Sequence, residues 1–445
     1  MKAISNPTDW RWIVGNETDD PLHNAFDEKR VVHPSVPGGP LPPETWLNRW
    51  ETLMQRDGRT EKRTASVHIP FCQTRCSYCS FFQNFSESET IEEYVEKLVA
   101  EIRMVSEFSF VTAHPVHAAY IGGGTPSVLS PEQIERLLAA IRKSLPLAND
   151  CEVTFEARFH EFDGDKMSAC ITSGVTRFSL GVQSFDTKVR RRICRVHERQ
   201  EILEKLDQLR SLDHAPVVAD LMYGLPGQTM QVWEDDLRCL IESGIDGGSL
   251  YQLNVFEGGR LAQALCDGKL PAVASLAEQA DMFRLTENIM SSHAYRRLSI
   301  PHWSHTTRER SLYNTLTKAG AVIIPFGAGA AGKVDGHTLV LDRNIRHYFE
   351  RLRHGEKPIA MMFTLSANHA LHADIVGQMD TGRLNLAAIR SRYDIDLAEM
   401  FKCVFDAWRR KGLARIQDEF LELTVAGRFW YANLTQAILD FLISR

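Results

Sequence analysis

Several features that would assign this 445-residue chain to a specialised class of protein are missing from it. The longest apolar run, residues 319–332, is broken by Pro325 and by glycines, so it is too short to span a bilayer. Residues 1–15 lack the apolar core of a signal peptide, and nine cysteines in so long a chain do not indicate a secreted disulfide framework. The formal net charge of −6 argues against the basic surface that nucleic acid requires. We therefore expect a cytoplasmic protein without a nucleic-acid or membrane partner.

The rest of the composition is that of an ordinary globular protein. Hydrophobic residues make up 44 % of the chain and charged residues 24 %, and the length suits two or three domains. Residues 1–60 are rich in proline and indicate an irregular arm with one short helix at 44–56. We expect this arm to be a packing extension, with a substrate lid as the alternative. The other predicted domains are 61–335 and 336–445.

An alternation of strand and helix patterns begins near residue 63. Short β-branched or apolar runs predict strands at 65–69, 117–121, 152–156, 176–182, 217–222 and 248–255. Apolar residues at helical spacing predict helices at 91–105, 131–145, 165–173, 187–212 and 230–243. This order predicts an α/β protein with a parallel sheet and right-handed crossovers. Six strands fit an incomplete TIM-like (β/α)6 barrel, and a doubly wound open sheet is the alternative because periodicity does not separate the two.

After residue 336 the pattern turns helical. Helices are predicted at 343–354, 368–379, 397–411 and 426–443, and residues 412–424 indicate a short β-wing. This arrangement predicts a mostly helical, winged-helix-like C-terminal domain. Because the chain is acidic overall, we expect that domain to dock a partner or cover an active site rather than to bind DNA.

Three cysteines, Cys72, Cys76 and Cys79, form a Cx3CxxC pattern on one short segment. Thiolates are the ligands of iron–sulfur clusters, and three protein ligands on a four-iron cluster leave one iron open for a small molecule. A structural zinc ion, with His68 or a distant cysteine as fourth ligand, is the alternative, although the chain offers no second CxxC-like pair. The remaining cysteines are scattered singly and are interpreted as small buried hydrophobic residues: Cys151, Cys170, Cys194, Cys239, Cys266 and Cys403.

Polar residues and glycines follow the predicted strands at their carboxyl ends, where barrel enzymes carry their chemistry. Gly122, Gly123 and Gly124, with Thr125 after them, end the second strand, where glycines let backbone groups approach a ligand closely. The third strand ends at Glu156, and its alternation places Glu152, Thr154 and Glu156 on one face. Further candidates at or near strand ends are Gln183, Arg195 and Asp220.

These motifs together resemble the radical S-adenosylmethionine (SAM) superfamily, and within it the coproporphyrinogen-dehydrogenase-like branch. The resembling segments are residues 68–79, 122–126, 181–183, 220–229 and 423–434, and the resemblance covers most of the chain after residue 60. It implies the incomplete barrel and a [4Fe-4S] cluster on Cys72, Cys76 and Cys79. It also implies SAM on the open iron, where one electron cleaves it to a 5′-deoxyadenosyl radical.

The same resemblance implies which residues contact SAM. It places Tyr78 beside the adenine, and it gives SAM-contacting roles to Gly122, Gly123, Gly124, Thr125, Glu156, Gln183, Arg195 and Asp220. Members of the branch often bind a second SAM molecule beside the first. The electron is expected from a flavodoxin-type or other low-potential donor.

Three kinds of protein in this branch are candidates. The dehydrogenase carries a further cysteine two residues after its third ligand and an aromatic residue six before its first, and these positions are Phe81 and Ser66 here. The haem chaperone tends to carry an HNxxYW phrase, of which only Asn314 is retained at residues 313–318. The sequence resembles most the family of anaerobic haem-degrading radical SAM methyltransferases, which open the porphyrin to a linear tetrapyrrole and release iron. That resemblance implies haem as the substrate.

A haem site requires an apolar slot, cations for the propionates and an axial imidazole. The segment at residues 300–310 offers such groups, and we predict that His302, His305 and Arg308 bind the substrate, with Arg310 nearby. A polar surface loop with incidental histidines is the alternative.

Overall fold

The structure is a computed structural model that describes residues 10–36, 38–57, 61–79, 84–160 and 162–443, and these contain eighteen strands and twenty α-helices. The strands are β1 (Gly39–Pro40), β2 (Arg63–Ile69), β3 (Phe71–Cys72), β4 (Asn84–Phe85), β5 (Val116–Gly123), β6 (Leu147–Ala157), β7 (Arg177–Gln183), β8 (Val217–Tyr223), β9 (Gly247–Gln252), β10 (Arg296–Arg297), β11 (His302–Ser304), β12 (Val322–Phe326), β13 (Ala331–Val334), β14 (His337–Leu341), β15 (Ile359–Thr364), β16 (Arg383–Asn385), β17 (Ala414–Gln417) and β18 (Phe420–Leu423).

The helices are α1 (Arg11–Val14), α2 (Pro21–Asn24), α3 (Trp46–Met54), α4 (Ser88–Ser106), α5 (Ser109–Thr112), α6 (Pro131–Ser144), α7 (Gly164–Thr172), α8 (Thr187–Arg192), α9 (Arg199–Ser211), α10 (Met230–Glu242), α11 (Arg260–Cys266), α12 (Leu276–Ser292), α13 (Leu312–Lys318), α14 (Ile345–Arg353), α15 (His369–Asp380), α16 (Leu386–Tyr393), α17 (Leu397–Met400), α18 (Lys402–Arg410), α19 (Val425–Phe429) and α20 (Tyr431–Ile443). In the part of the chain that is described, no helix is both long enough and apolar enough to cross a bilayer.

The six predicted strands correspond to β2 and β5 to β9, and they pair in parallel in that order. Each new strand joins on the same side of the one before it, so right-handed crossovers place the connecting helices on one face of the sheet. A doubly wound sheet would instead reverse direction partway. The incomplete (β/α)6 barrel is therefore confirmed and the doubly wound alternative is excluded, and the described strands form a sheet that does not close on itself.

Local capping fixes where several of the connecting helices begin. Helix α6 starts at Ser130, whose hydroxyl accepts from the backbone N–H of Gln133 while the Gln133 side chain accepts from the Ser130 N–H. Helix α10 starts in the same way at Thr229, which accepts from the N–H of Val232 at 3.3 Å. Such caps pair donors that the first turn leaves without partners within the helix.

The sheet continues beyond β2 into an extension that the sequence analysis missed. Strand β12 pairs in parallel with β2, and β13, β14, β15 and β1 then add in antiparallel order. The prediction of helices and a β-wing after residue 336 therefore missed the strands at residues 337–341 and 359–364. The apolar run at 319–332 contains the buried strand β12 and the turn that follows it.

Three predicted helices are broken in two: 397–411 forms α17 and α18, 426–443 forms α19 and α20, and the third break lies near the mouth of the barrel. Residues 187–212 form α8 and α9, separated by a turn in which Cys194 has a positive φ of 63°. A residue in this left-handed conformation ends a helix. The break turns Arg195 away from the helix axis and toward the carboxyl ends of the strands.

The C-terminal region carries the predicted wing. Strands β17 and β18 form its hairpin at 414–423, and β16 pairs with β18 to complete a three-stranded sheet. At the end of the large sheet beyond β9, β11 pairs antiparallel with β9, and β10 with β11. Helix α13 packs against β2, β5 and β6.

The N-terminal arm packs on the C-terminal helices. Trp408 Nε1 donates to the Ile13 carbonyl at 2.9 Å, and Trp430 Nε1 donates to the Leu22 carbonyl at 3.0 Å. Lys29 lies over the rings of Phe429 and Trp430, at 3.7 and 4.6 Å from their centres. Burial lowers the pKa of this lysine well below its usual value.

Candidate functional site

The interior of the barrel is polar, and it is closed at one end and open at the other. In β6, Glu152, Thr154 and Glu156 share the interior face as predicted, while Val153 and Phe155 pack in the core. Glu152 and Thr154 are buried, whereas Glu156, at the carboxyl end, keeps partial contact with solvent. The carboxyl ends of the strands therefore form an open mouth.

The three-cysteine loop lies directly on this mouth. The N–H of Gly124 donates to the Ile69 carbonyl at 2.8 Å, and a Cβ at Gly124 would meet the Phe71 carbonyl oxygen at 2.5 Å. Only glycine therefore allows the end of β5 to approach the start of the cysteine loop this closely. Cys72 and Cys76 are buried there, and Cys79 is half-buried.

Two of the thiols accept hydrogen bonds. Thr125 Oγ1 donates to Cys72 Sγ at 3.3 Å, and the guanidinium of Arg158 donates to Cys76 Sγ. Burial raises the pKa of Cys72, while the Thr125 hydroxyl and the charge of Arg158 oppose that rise. Arg158 also donates to the Thr74 carbonyl at 3.2 Å, so it fixes the middle of the loop. Arg158, which the sequence analysis missed, lies two residues beyond Glu156.

Glu156 lies against the glycine run. The N–H of Gly123 donates to Glu156 Oε2 at 3.1 Å, and a Cβ at Gly122 would meet the same oxygen at 2.6 Å. Burial raises the pKa of Glu156 to about 7, with a further contribution from the neighbouring carboxylate of Asp220. Asp220 Oδ2 accepts from Ser179 Oγ at 3.3 Å, and burial raises its pKa as well.

Tyr78, Gln183 and Arg195 meet over β7. Arg195 donates to the Tyr78 hydroxyl at 2.9 Å and to the Gly181 carbonyl at 3.1 Å. A Cβ at Gly181 would lie 3.1 Å from Gln183 Nε2 and 3.3 Å from Arg195. Burial raises the pKa of Tyr78 to about 12, and the adjacent Arg195 charge opposes the shift. The structure thus brings these three predicted residues together.

A buried frame holds Gln183, which has a positive φ of 72°. On its carboxyl side, Asp236 accepts from Ser184 Oγ at 2.8 Å and from the N–H of Phe185 at 2.6 Å. Arg190 donates to the carbonyls of Val182 and Ser184 on either side of Gln183. The sequence analysis missed Asp236 and Arg190, because a single charged residue on a helix that carries several others shows no distinguishing pattern.

The residues predicted to bind haem do not lie at the mouth. His302 is buried, and its two ring nitrogens contact Ser249 Oγ at 2.8 Å and Glu309 Oε1 at 3.0 Å. Glu309 in turn accepts from Arg177 Nε at 3.0 Å, deep at the amino end of the barrel.

His305 and Arg308 lie outside the barrel at that same amino end. The N–H of His305 donates to the carbonyl of Asp246, the residue before β9, and its ring stacks on Tyr295. Arg308 pairs with Asp213, just before β8, at 2.5 Å, and Arg310 pairs with Asp150. A haem bound by these residues would be remote from the cysteine loop. The structure therefore does not support the prediction that they bind the substrate.

Comparison with known proteins identifies the superfamily. The radical SAM superfamily profile matches residues 66–240. An anaerobilin synthase of Escherichia coli O157:H7 is 35 % identical over 418 residues, which are 94 % of this chain and 93 % of that protein. The chain belongs to the radical SAM superfamily.

Other members of the superfamily extend this result. The haem chaperone HemW of Bacillus subtilis is 26 % identical over 82 % of this chain and 96 % of that protein. The solved structure of coproporphyrinogen III oxidase (HemN) from Escherichia coli superposes with a TM-score of 0.76 at 20 % identity, over 89 % of this chain and 93 % of that one. The latter shows the shared fold.

Membership of the radical SAM superfamily implies a [4Fe-4S] cluster and SAM, and the residues present fit both groups. Donors aimed at Cys72 and Cys76 stabilise thiolates, as ligands of an iron–sulfur cluster require. Among the described residues, no three His, Cys, Asp or Glu side chains stand close enough to hold a single metal ion.

The other cysteines are less uniform than predicted. Cys170 and Cys239 are buried and Cys151 is half-buried, which agrees with a packing role. The prediction is wrong for Cys194, Cys266 and Cys403, which are exposed. All three lie in turns or on the outer faces of helices.

Proposed function

We propose that this radical SAM protein is a C-methyltransferase that methylates and opens the porphyrin ring of haem without oxygen, giving a linear tetrapyrrole and releasing iron. The observation that carries the proposal is the 35 % identity to anaerobilin synthase over 94 % of the chain. The superfamily profile matches only residues 66–240, whereas the similarity to anaerobilin synthase covers 94 % of the chain and so extends beyond the barrel. We further propose two molecules of SAM, a flavodoxin-type or other low-potential electron donor, and a cytoplasmic site of action.

The residues at the mouth suit this role. When bound, the cluster supplies the electron that cleaves SAM. Glu156 and Asp220 offer carboxylates for the cationic and hydroxyl groups of SAM, and Arg195 holds the Tyr78 ring in place for the adenine. The cofactors carry the chemistry, and these side chains orient them.

Two other activities of the branch are the alternatives. Oxidative decarboxylation of coproporphyrinogen III is disfavoured by Ser66 and by Phe81, which lies outside the described residues. A haem-chaperone role is disfavoured because only Asn314 of its usual phrase is present. The adjacent Tyr313 packs at a tilt against Tyr120 inside the barrel, at 4.9 Å between ring centres.

Anaerobic incubation of reconstituted protein with SAM, a low-potential reductant and haem tests the proposal. The expected products are a methylated linear tetrapyrrole, detected by mass spectrometry, and released iron. Coproporphyrinogen III in a parallel reaction distinguishes the dehydrogenase. Haem that is bound but recovered intact would contradict degradation and favour the chaperone.

A further inference from the structure

An apolar segment is exposed at the mouth of the barrel, at the carboxyl end of β9 and in the residues that follow it. Tyr251, Val255 and Phe256 are 41 %, 40 % and 47 % exposed. Isolated exposed hydrophobic residues are common, but three within six residues at the rim of a site indicate a binding surface. We call residues 251–260 the rim loop.

Buried residues anchor the rim loop from below. Leu253 and Leu261 are 3 % and 4 % exposed and belong to a small apolar cluster with Ile193 and Leu225, separate from the main core. Tyr78 of the cysteine loop packs against this cluster. The N–H of Leu253 also donates to the Tyr223 carbonyl at 3.0 Å. Val255 and Phe256 are therefore exposed on a fixed base, which lowers the entropy lost when a ligand covers them.

The two ends of the rim loop reach the two parts of the radical SAM site. At one end the Tyr251 hydroxyl hydrogen-bonds to Ser249, and its pKa is raised by removal of that hydroxyl from water and by the carboxylates of Asp220 and Glu156, while the ring stays exposed. At the other end Arg260 donates to the Arg75 carbonyl of the cysteine loop at 3.4 Å. A ligand lying along the rim loop would therefore cover the SAM site and touch the cysteine loop.

We propose that the rim loop binds the haem substrate, with Tyr251, Val255 and Phe256 against the porphyrin face and Arg260 at a propionate. This inference rests on the proposed function. Haem combines a flat apolar face with peripheral carboxylates, which matches three apolar side chains followed by a guanidinium. A protein electron donor is the other candidate for an exposed apolar rim. Haem is favoured because the Tyr251 hydroxyl faces Ser249 and the carboxylates of the barrel interior, and because Arg260 supplies the charge that complements a propionate.

The apolar part is tested with the double variant Val255→Ser and Phe256→Ser in reconstituted protein. Haem affinity, followed by the change in haem absorbance, should fall by about tenfold or more because two apolar contacts are lost. Iron content, SAM affinity and dithionite-driven SAM cleavage without haem should stay at wild-type values. The matched control is Leu212→Ser with Ile416→Ser, two exposed apolar residues away from the mouth, and it should bind haem normally.

The charged part is tested with Arg260→Ala and two probes, haem and haem dimethyl ester. The variant should bind haem about tenfold more weakly, a usual loss for a charge-assisted contact. It should bind the uncharged ester as the wild type does. An equal loss for both probes would overturn the assignment of Arg260 to a propionate.

Two further outcomes separate this inference from the function beneath it. If the wild type converts haem but the double serine variant binds and converts it equally well, the rim loop is not the haem site and the proposed function stands. If the variant fails only when flavodoxin replaces dithionite, the loop docks the electron donor and the inference is overturned. If the wild type neither binds nor converts haem, the proposed function itself fails.

Discussion

Buried carboxylates occur at both ends of the barrel interior, and their surroundings differ. At the closed end, both carboxylate oxygens of Glu309 accept from Arg177 Nε, at 3.2 and 3.0 Å, and Oε1 also contacts His302. The pKa of Glu309 is lowered to about 2, because the charge of Arg177 and the contact with His302 outweigh burial. At the mouth, Glu156 faces Asp220, and its pKa is raised to about 7 by burial and by that like charge.

This difference separates carboxylates that stabilise the fold from carboxylates that are available to bind a cofactor. The closed end pairs its charges within the protein, so its carboxylate remains ionised and holds β7 to the segment after β11. At the mouth, burial raises the pKa of both carboxylates, and the charge of Arg177 offsets that rise only in part, which is the condition in which a cationic ligand gains most from binding. Variants at the closed end should therefore lose stability first, and variants at the mouth should lose cofactor first.

The largest expected effect at the mouth is loss of the cluster. Cys76→Ala removes a thiolate that Arg158 stabilises, and the reconstituted protein should lose its brown colour, its iron and all SAM cleavage. Thermal unfolding of the unreconstituted protein should change little. Cys403→Ala, an exposed cysteine on α18, is the control and should retain full iron content. Retained SAM cleavage in the Cys76 variant would contradict the assignment.

At the closed end, Glu309→Gln should lower the free energy of unfolding by about 3–5 kcal/mol, because Arg177 is left buried without its counter-charge. Denaturant titration measures the loss. The pKa of Glu309 is lowered in the fold, so its stabilisation is present above the unfolded value of 4.5 and is lost as the pH falls toward 2. An exposed pair such as Arg308 with Asp213 should contribute below about 1 kcal/mol. Equal losses at both pairs would contradict the comparison.

Glu156→Gln and Asp220→Asn should each weaken SAM binding by about 1–3 kcal/mol, the scale of a lost hydrogen bond to a charged group. Isothermal titration measures the affinity, and iron content should stay normal. Because the pKa of Glu156 is about 7, wild-type affinity for SAM should rise as the pH increases through that value, and Glu156→Gln should abolish the rise.

The same shift has an opposite consequence for the protein without SAM. The pKa of Glu156 is raised in the fold, so the unfolded chain binds fewer protons than the native one between 4.5 and 7. The unliganded protein should therefore lose stability as the pH rises through this window. A pH-independent SAM affinity would contradict the raised pKa.

The smallest expected effect concerns Gln183. Its left-handed backbone is strained for any residue with a side chain, so Gln183→Gly should raise stability by about 1 kcal/mol. It should weaken SAM binding by about 1 kcal/mol, since the side chain beside Arg195 is lost. Asp418→Gly, at a φ of 53° in the wing, is the matched control: stability should rise without any change in SAM affinity. A lower free energy of unfolding for Gln183→Gly would show that the buried frame around Gln183 does not impose strain on its backbone.

Much of the difference between the closed end and the mouth of the barrel could be predicted from the sequence. The six parallel strands carry β-branched runs with helical segments between them, and motifs that follow strand ends necessarily meet at one edge. Tyr78, Glu156, Gln183, Arg195 and Asp220 do converge there. The regular alternation of local patterns was sufficient to place Glu156, Gln183 and Asp220 at strand ends, whereas Tyr78 and Arg195 came from the resemblance to the radical SAM superfamily.

What the sequence did not reveal depends on distant partners. Strand β12 contains Pro325, which argues against a strand, but its partner β13 pairs with β12 at Ile323 alone, so the missing N–H is tolerated. His302 has the composition of a ligand loop. Its burial follows from Ser249 and Glu309, which approach from β9 and from beyond β11, and no local pattern encodes that meeting.

The arm that packs on the C-terminal helices also constrains the order in which the chain can fold. Ile13 and Leu22 bind side chains about 400 positions later, at Trp408 and Trp430. During synthesis this segment leaves the ribosome long before its partners exist, so its docking must come last. The entropy of closing so long a loop grows only slowly with its length, but the search for such distant contacts slows folding. Until then the face of Trp430 that packs on Phe26 of the arm stays uncovered, and exposed aromatic surface of this kind favours aggregation.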